Sequence, residues 1–253
     1  MHFAFEPKLL AKFLRSCLLT PSRLKENVNQ KLGAVNHIRK LSWSELGQAP
    51  VGPGVYAWYY EPQITQYDLD QAIRAITDKM AEADRNAAET VIHRLFNDNV
   101  LKYFQQDPYD VTLSGPLKPR HTGTVVHDQR ISPGLVQRIL EEPGRLAGLS
   151  DFLTGSAPYF ASPVYIGMSE SLRTRLSTHR SLIEKYRNQE LRHGVVDDAS
   201  GNEDAGFARR VVTRRIPPDN LFVMVLETSS VNGLHIDLEN LLNRIYYPIL
   251  GRN

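Results

Sequence analysis

The sequence predicts a mixed α/β chain of the α+β kind, in which three short strands are flanked by helices. Three observations carry that expectation. The runs 55–60, 164–167 and 221–226 are dense in aromatic and β-branched residues, and Pro62 and Gly167 close the first two, as strands require. The stretches 169–187 and 235–246 repeat apolar residues at the 3.6-residue spacing of amphipathic helices. Between 63 and 158 the composition turns helical in character, so a separate lobe interrupts the strands.

Taken in order, residues 6–19 predict a first helix, with Pro7 in its first turn and Pro21 beyond its end. Residues 24–41 predict a looser second one around Val28, Leu32, Val35 and Ile38, so that 1–50 reads as a helical arm. Gly52-Pro53-Gly54 marks a turn into the first strand, where Tyr56, Trp58 and Tyr60 share one face and Val55, Ala57 and Tyr59 the other. Within the insert, 63–157, the segments 67–86, 89–106 and 134–149 predict helices. Residues 108–133 read as turn-rich and carry Lys118, Arg120, His121, His127 and Arg130. The strand-bearing core is then 51–62 together with 158–253.

The helix over 169–187 has Ser169 or Ser171 as N-cap. At 100° per residue, Leu172, Leu176, Leu182, Ile183 and Tyr186 form its core-facing stripe, and Arg175 and His179 fall inside it. Arg173 and Arg180 take the wet side. A buried, unpaired guanidinium costs several kcal/mol or about that order, so Arg175 and His179 are expected to line something polar. Residues 194–206 form a polar loop whose carboxylates lack the regular spacing of a calcium site. A basic run, Arg209, Arg210, Arg214 and Arg215, follows it. The unbroken hydrophobicity of 221–226 predicts a central strand. In the last helix Leu238, Leu241, Leu242 and Ile245 predict the buried stripe, with Glu239 beside it and Pro248 as the stop.

The totals bound the function classes. The chain has 253 residues, 30 Lys and Arg against 28 Asp and Glu, and one cysteine, Cys17. A single cysteine excludes an internal disulfide and a cysteine-based zinc site, and fits a reducing, cytoplasmic setting. No apolar run approaches membrane-spanning length, so no membrane partner is expected.

Gly54-Val55-Tyr56 and Tyr165-Ile166-Gly167 resemble the two halves of the GIY-YIG nuclease motif. Leu172 to His179 is similar to that family's helix, in which an arginine sits three residues after a leucine and a histidine four further on. Glu239 resembles the family's metal-binding glutamate, and Pro248 to Asn253 its terminal proline-to-asparagine segment. The resemblance covers about 51–60 and 158–253. The chain departs from the pattern in the long separation of the two motif halves and in two extra residues between Leu250 and Asn253.

The resemblance implies a small antiparallel three-stranded sheet between helices. It also implies hydrolysis of DNA phosphodiesters with one Mg²⁺ or Mn²⁺ held by Glu239. Arg175 would clamp the phosphate, Tyr56 would take a proton from water with help from His179, and Tyr165 would position phosphate or water; Asn253 completes the set. Restriction-type or phage-defence enzymes are the members that match a stand-alone chain with a large insert. The alternative is a nucleic-acid-binding module that keeps the fold without the catalysis. Beside a phosphodiester site, Arg173, Arg180, Arg209, Arg210, Arg214 and Arg215 are expected to contact DNA backbone, and the insert to serve binding and selection. A double-stranded substrate further implies a homodimer, since one such site cuts one strand per binding event.

Overall fold

The computed structural model describes residues 38–251 apart from 107, 117, 128–129, 194–202 and 229–232. The predicted helix over 6–19, Cys17, most of the looser 24–41 segment, most of the polar loop and Asn253 lie outside the described residues.

An antiparallel sheet of four strands holds the molecule together. Its strands are β1 (Ile38–Ser42), β2 (Gly54–Tyr60), β5 (Tyr165–Ser169) and β6 (Leu221–Glu227), in the order β1-β6-β2-β5. β6 and β2 occupy the centre, and their sequences explain why: every side chain but that of Glu227 is buried or half-buried. The prediction of a central strand over 221–226 therefore holds.

β1 corrects the sequence reading. Its residues were expected at the end of a helix and in the helical arm; they form instead a fourth strand, paired with β6 from Ile38↔Leu226 to Ser42↔Phe222. Only Leu41 of this strand is buried, while Arg39 and Lys40 are exposed. A helix-compatible segment takes an extended form here because an apolar central strand offers a full ladder of hydrogen bonds, and tertiary pairing overrides local propensity. Charged residues on such an outer strand also discourage pairing with other chains.

Four helices of the insert, α1 (Gln66–Ala81), α2 (Arg85–Asn99), α3 (Pro133–Glu141) and α4 (Arg145–Phe160), carry their own apolar cluster around Ile76, Ile92, Ile139 and Leu146. Caps set their starts: the Asp68 and Ala87 amides donate to the Thr65 and Asp84 side chains at 3.1 and 3.0 Å. Pro143 and Gly144 break what the sequence suggested as one helix over 134–149. The insert is not helical throughout. Its turn-rich segment holds an antiparallel ribbon, β3 (Tyr109–Gly115) with β4 (Lys118–Val125).

The second apolar cluster gathers on the four-stranded sheet. α5 (Leu172–His193) buries Leu172, Leu176, His179, Ile183 and Tyr186 there, the stripe the sequence predicted. It packs against α6 (Glu203–Thr213), which adds Ala205, Phe207, Ala208, Val211 and Val212. The last helix, α7 (Leu234–Tyr246), packs against β5 and β2. Its predicted stripe is corrected: His235 is buried and Leu238, Glu239, Leu242 and Asn243 are half-buried, whereas Leu241 and Ile245 are exposed. The helix is rotated so that the edge bearing Glu239, not the most apolar face, meets the sheet side. No described helix is long and apolar enough to cross a membrane.

Candidate active site

Strand register makes the site. The two motif halves, more than a hundred residues apart in sequence, are neighbours on β2 and β5, where Tyr56 pairs directly with Gly167 and Trp58 with Tyr165. Glycine is required at 167 because a Cβ there would lie 2.6 Å from the Tyr56 hydroxyl. Gly54 is likewise needed, since its Cβ would meet the Leu226 carbonyl oxygen at 2.3 Å. The glycines of the motif are thus packing requirements of the tyrosine and of the neighbouring strand.

α5 delivers the other groups. Its start is tied to the turn before β2, with the Leu172 and Arg173 amides donating to the Gly52 and Pro50 carbonyls at 3.2 and 2.9 Å. Its apolar stripe then fixes the rotation that turns Arg175 and His179 inward. The Arg175 Nε–H donates to the Tyr56 hydroxyl at 3.1 Å, and that hydroxyl lies 2.8 Å from His179 Nε2. Tyr165 closes the cluster, with its ring centroid 6.2 Å from that of Tyr56 and 5.9 Å from that of His179.

Burial sorts these four. Tyr56 and His179 are fully buried, whereas Tyr165 and Arg175 are half-exposed and are the groups an incoming ligand meets first. Burial, aided by the Arg175 charge, lowers the His179 pKa to about 3, so its imidazole is neutral at physiological pH. The Tyr56 hydroxyl accepts from Arg175 and shares a hydrogen bond with the neutral His179 at Nε2, its direction set by the imidazole tautomer. The resulting chain runs from a charged, half-exposed guanidinium to a buried, neutral imidazole.

Glu239 sits on the half-buried side of α7, the helix packed on the strands of Tyr165 and Tyr56, and Asn243 Nδ2 donates to its Oε1 at 2.6 Å. A single hard carboxylate of this kind suits Mg²⁺, which keeps most of its waters and needs only one or two protein oxygens. Among the described residues no group of three or more His, Cys, Asp or Glu converges as a closed metal cage would require.

Two contributors escaped the sequence reading. Phe207 floors the cluster, its ring centroid 4.5 Å from that of Tyr165 and 5.0 Å from that of His179. Its signal was the apolar spacing of Ala205, Ala208, Val211 and Val212, which the adjoining polar loop obscured. His235, buried at the start of α7, has Nε2 2.9 Å from Glu170 Oε1 just beyond β5.

The arginines expected on DNA are dispersed. Arg173 Nε donates to the Ala49 carbonyl at 2.8 Å, and Arg180 pairs with Glu184 at 2.9 Å and lies over the Trp43 ring. Arg209 and Arg210 are half-buried on α6. Arg214 Nη1 donates to the Gln105 carbonyl at 2.5 Å, and Arg215, in a left-handed turn at φ 53°, is exposed. The run is therefore not one continuous wet face.

No family model, no curated protein and no solved structure matches this chain.

Proposed function

We propose that this chain is a metal-dependent DNA endonuclease with a GIY-YIG-type core, of the restriction or phage-defence kind, hydrolysing phosphodiester bonds. The observation that carries the reading is the Arg175–Tyr56–His179 chain of contacts at 3.1 and 2.8 Å, built where the two motif strands meet. Isolated core tyrosines do not need an inward-turned arginine. This one stands between a buried hydroxyl and the surface, where an arginine serves an anion.

In this reading the half-exposed Arg175 receives the scissile phosphate and offsets charge as it builds on the phosphoryl oxygens. Tyr165 holds the phosphate or the attacking water against the guanidinium. Tyr56 and His179 stay behind them, with the Tyr56 oxygen 2.8 Å from Nε2. Burial and the Arg175 charge hold the His179 pKa down to about 3, which makes its imidazole a weak proton acceptor, so in this reading it orients the Tyr56 hydroxyl rather than storing the proton. Glu239 would hold Mg²⁺ or Mn²⁺, which when bound supplies Lewis-acid stabilisation of the phosphate and leaving oxygens. Asn243 fixes the glutamate's orientation, as outer partners of metal ligands do.

A double-stranded substrate requires two copies of such a site, one for each antiparallel strand. Arg215, exposed and only loosely paired with Glu190 at 3.8 Å, is the residue of the basic set best placed to add a phosphate contact, which would make binding salt-dependent. The test is supercoiled plasmid incubated with the full chain in Mg²⁺ and in EDTA. Nicked or linear product in Mg²⁺ alone is expected. An intact plasmid in both would refute the reading, and would leave a binding module.

A further inference from the structure

We propose that the ribbon of β3 and β4 reads base edges in the major groove, through the face that carries Arg120. The inference rests on the endonuclease reading of the core, and it assigns sequence selection to one element of the insert.

The ribbon is unusual in having little of its own to stand on. Its strands pack chiefly on each other, and nearly every described side chain is exposed, Leu113 to 68%. A two-stranded ribbon wet on both faces is marginal in water, so such an element is kept for what it meets. Its root, by contrast, is firmly held. The Gln106 amide donates to His127 Nδ1 at 3.3 Å across the base, and Arg214 holds the Gln105 carbonyl. Tyr103 and Phe104 pack on Tyr60, with ring centroids 4.7 and 5.7 Å away. Tyr60 lies four residues along β2 from Tyr56, roughly 14 Å at strand rise. The root is thus fixed within about half a helical turn of DNA from the Tyr56 cluster.

Dimensions and chemistry agree. Two strands of seven and eight residues make a bar roughly 25 Å long, and the major groove, about 12 Å wide, admits such a ribbon. Register assigns the faces. Asp110 pairs with Thr124, whose hydroxyl donates to its carboxylate at 2.8 Å, and Thr112 with Thr122; alternation from Thr122 places Arg120 next on that side, at the point where the register shifts between Leu113 and Gly115. The other side carries Tyr109, Val111 and Leu113 opposite Val125, Gly123 and His121. One face is therefore hydrogen-bonding and the other largely apolar. Arginine reads guanine O6 and N7, while threonine offers a hydroxyl to base edges and a methyl to thymine. The ribbon sets Lys118 and Arg120 against the single carboxylate of Asp110, a net positive balance that suits a polyanion.

The experiment is selection of duplexes from a random-sequence library by the full chain in EDTA, so that binding is read without cleavage. Wild type, Arg120→Ala and Leu113→Ala are compared, with plasmid cleavage in Mg²⁺ scored separately. Both side chains are exposed, so neither variant should lose its fold. Wild type is expected to enrich a motif with one guanine whose preference falls roughly ten- to hundred-fold in Arg120→Ala and persists in Leu113→Ala. An unchanged motif in Arg120→Ala, an equal loss in Leu113→Ala, or no enrichment at all would overturn the proposal. A chain that selects but never cuts would sink the endonuclease reading while leaving the ribbon's role standing.

Discussion

α5 and α7 are both amphipathic by sequence, yet they bury their apolar faces to different extents. In α5 the stripe of Leu172, Leu176 and Ile183 is buried and carries Arg175 and His179 inward with it. In α7 half of the corresponding stripe stays out, with Leu241 at 56% and Ile245 at 64% exposure, while Leu238 and Leu242 are half-buried beside the edge of His235 and Glu239 that turns toward the sheet side. Periodicity reports that a helix has two faces. Which one is buried depends on the neighbour: α5 is clamped between the sheet and α6, while α7 lies across the edge strand β5, where less apolar surface awaits it.

The sharpest way to break this comparison is to truncate the same residue type in both helices. Leu176→Ala should destabilise the fold by about 2–5 kcal/mol, the range for a leucine lost from a packed core. Leu241→Ala should change it by about 0.5 kcal/mol or less. Urea unfolding of both variants reads the difference directly, and similar losses would show that α7 buries its stripe after all.

Next comes the inward arginine. Arg175→Lys should lower cleavage roughly a hundred-fold with little change in melting temperature, because an ammonium cannot both bond Tyr56 and present a planar fork to phosphate. Arg173→Lys, two residues away, should leave the cleavage rate nearly intact. It should instead cost about 1 kcal/mol through its bond to the Ala49 carbonyl. Single-turnover rates beside melting curves separate the two effects.

A smaller effect follows from His179. Its folded pKa of about 3 lies below the ordinary value of 6.5, so between those limits the unfolded chain binds a proton that the folded chain does not. Stability from this group is therefore fully present above about pH 6.5 and is lost as pH falls toward 3, with a slope of at most about 1.4 kcal/mol per pH unit. Denaturant titrations from pH 4 to 8 should show that slope flattened in His179→Gln. The same slope in both proteins would mean that other groups set it.

Legibility followed the same divide. Local pattern sufficed for β2, β5 and β6 and for the inward turn of Arg175 and His179; the adjacency of Tyr56 and Tyr165 followed only from the motif resemblance. It failed where a distant partner decided the outcome. β1 became a strand because β6 was there to pair with it, and the ribbon formed although Pro119 and Gly123 disguise β4 as turn sequence. The alternation of Thr112, Thr122 and Thr124 about the Gly115-Pro116 turn was the signal overlooked. The basic run misled for a related reason: charge in a row says nothing of direction, and Arg214 spends its guanidinium on a carbonyl of the insert.

In the proposed mechanism Glu239, on the α7 edge turned toward the sheet, serves the Tyr56–Arg175 cluster. The direct test is the Mg²⁺-dependent cleavage rate of Glu239→Ala, measured on DNA at concentrations where gel shifts show it bound. Wild-type affinity and melting temperature are expected, with cleavage reduced at least roughly a hundred-fold, as for loss of one charge-stabilising group. Cleavage at near the wild-type rate would contradict it.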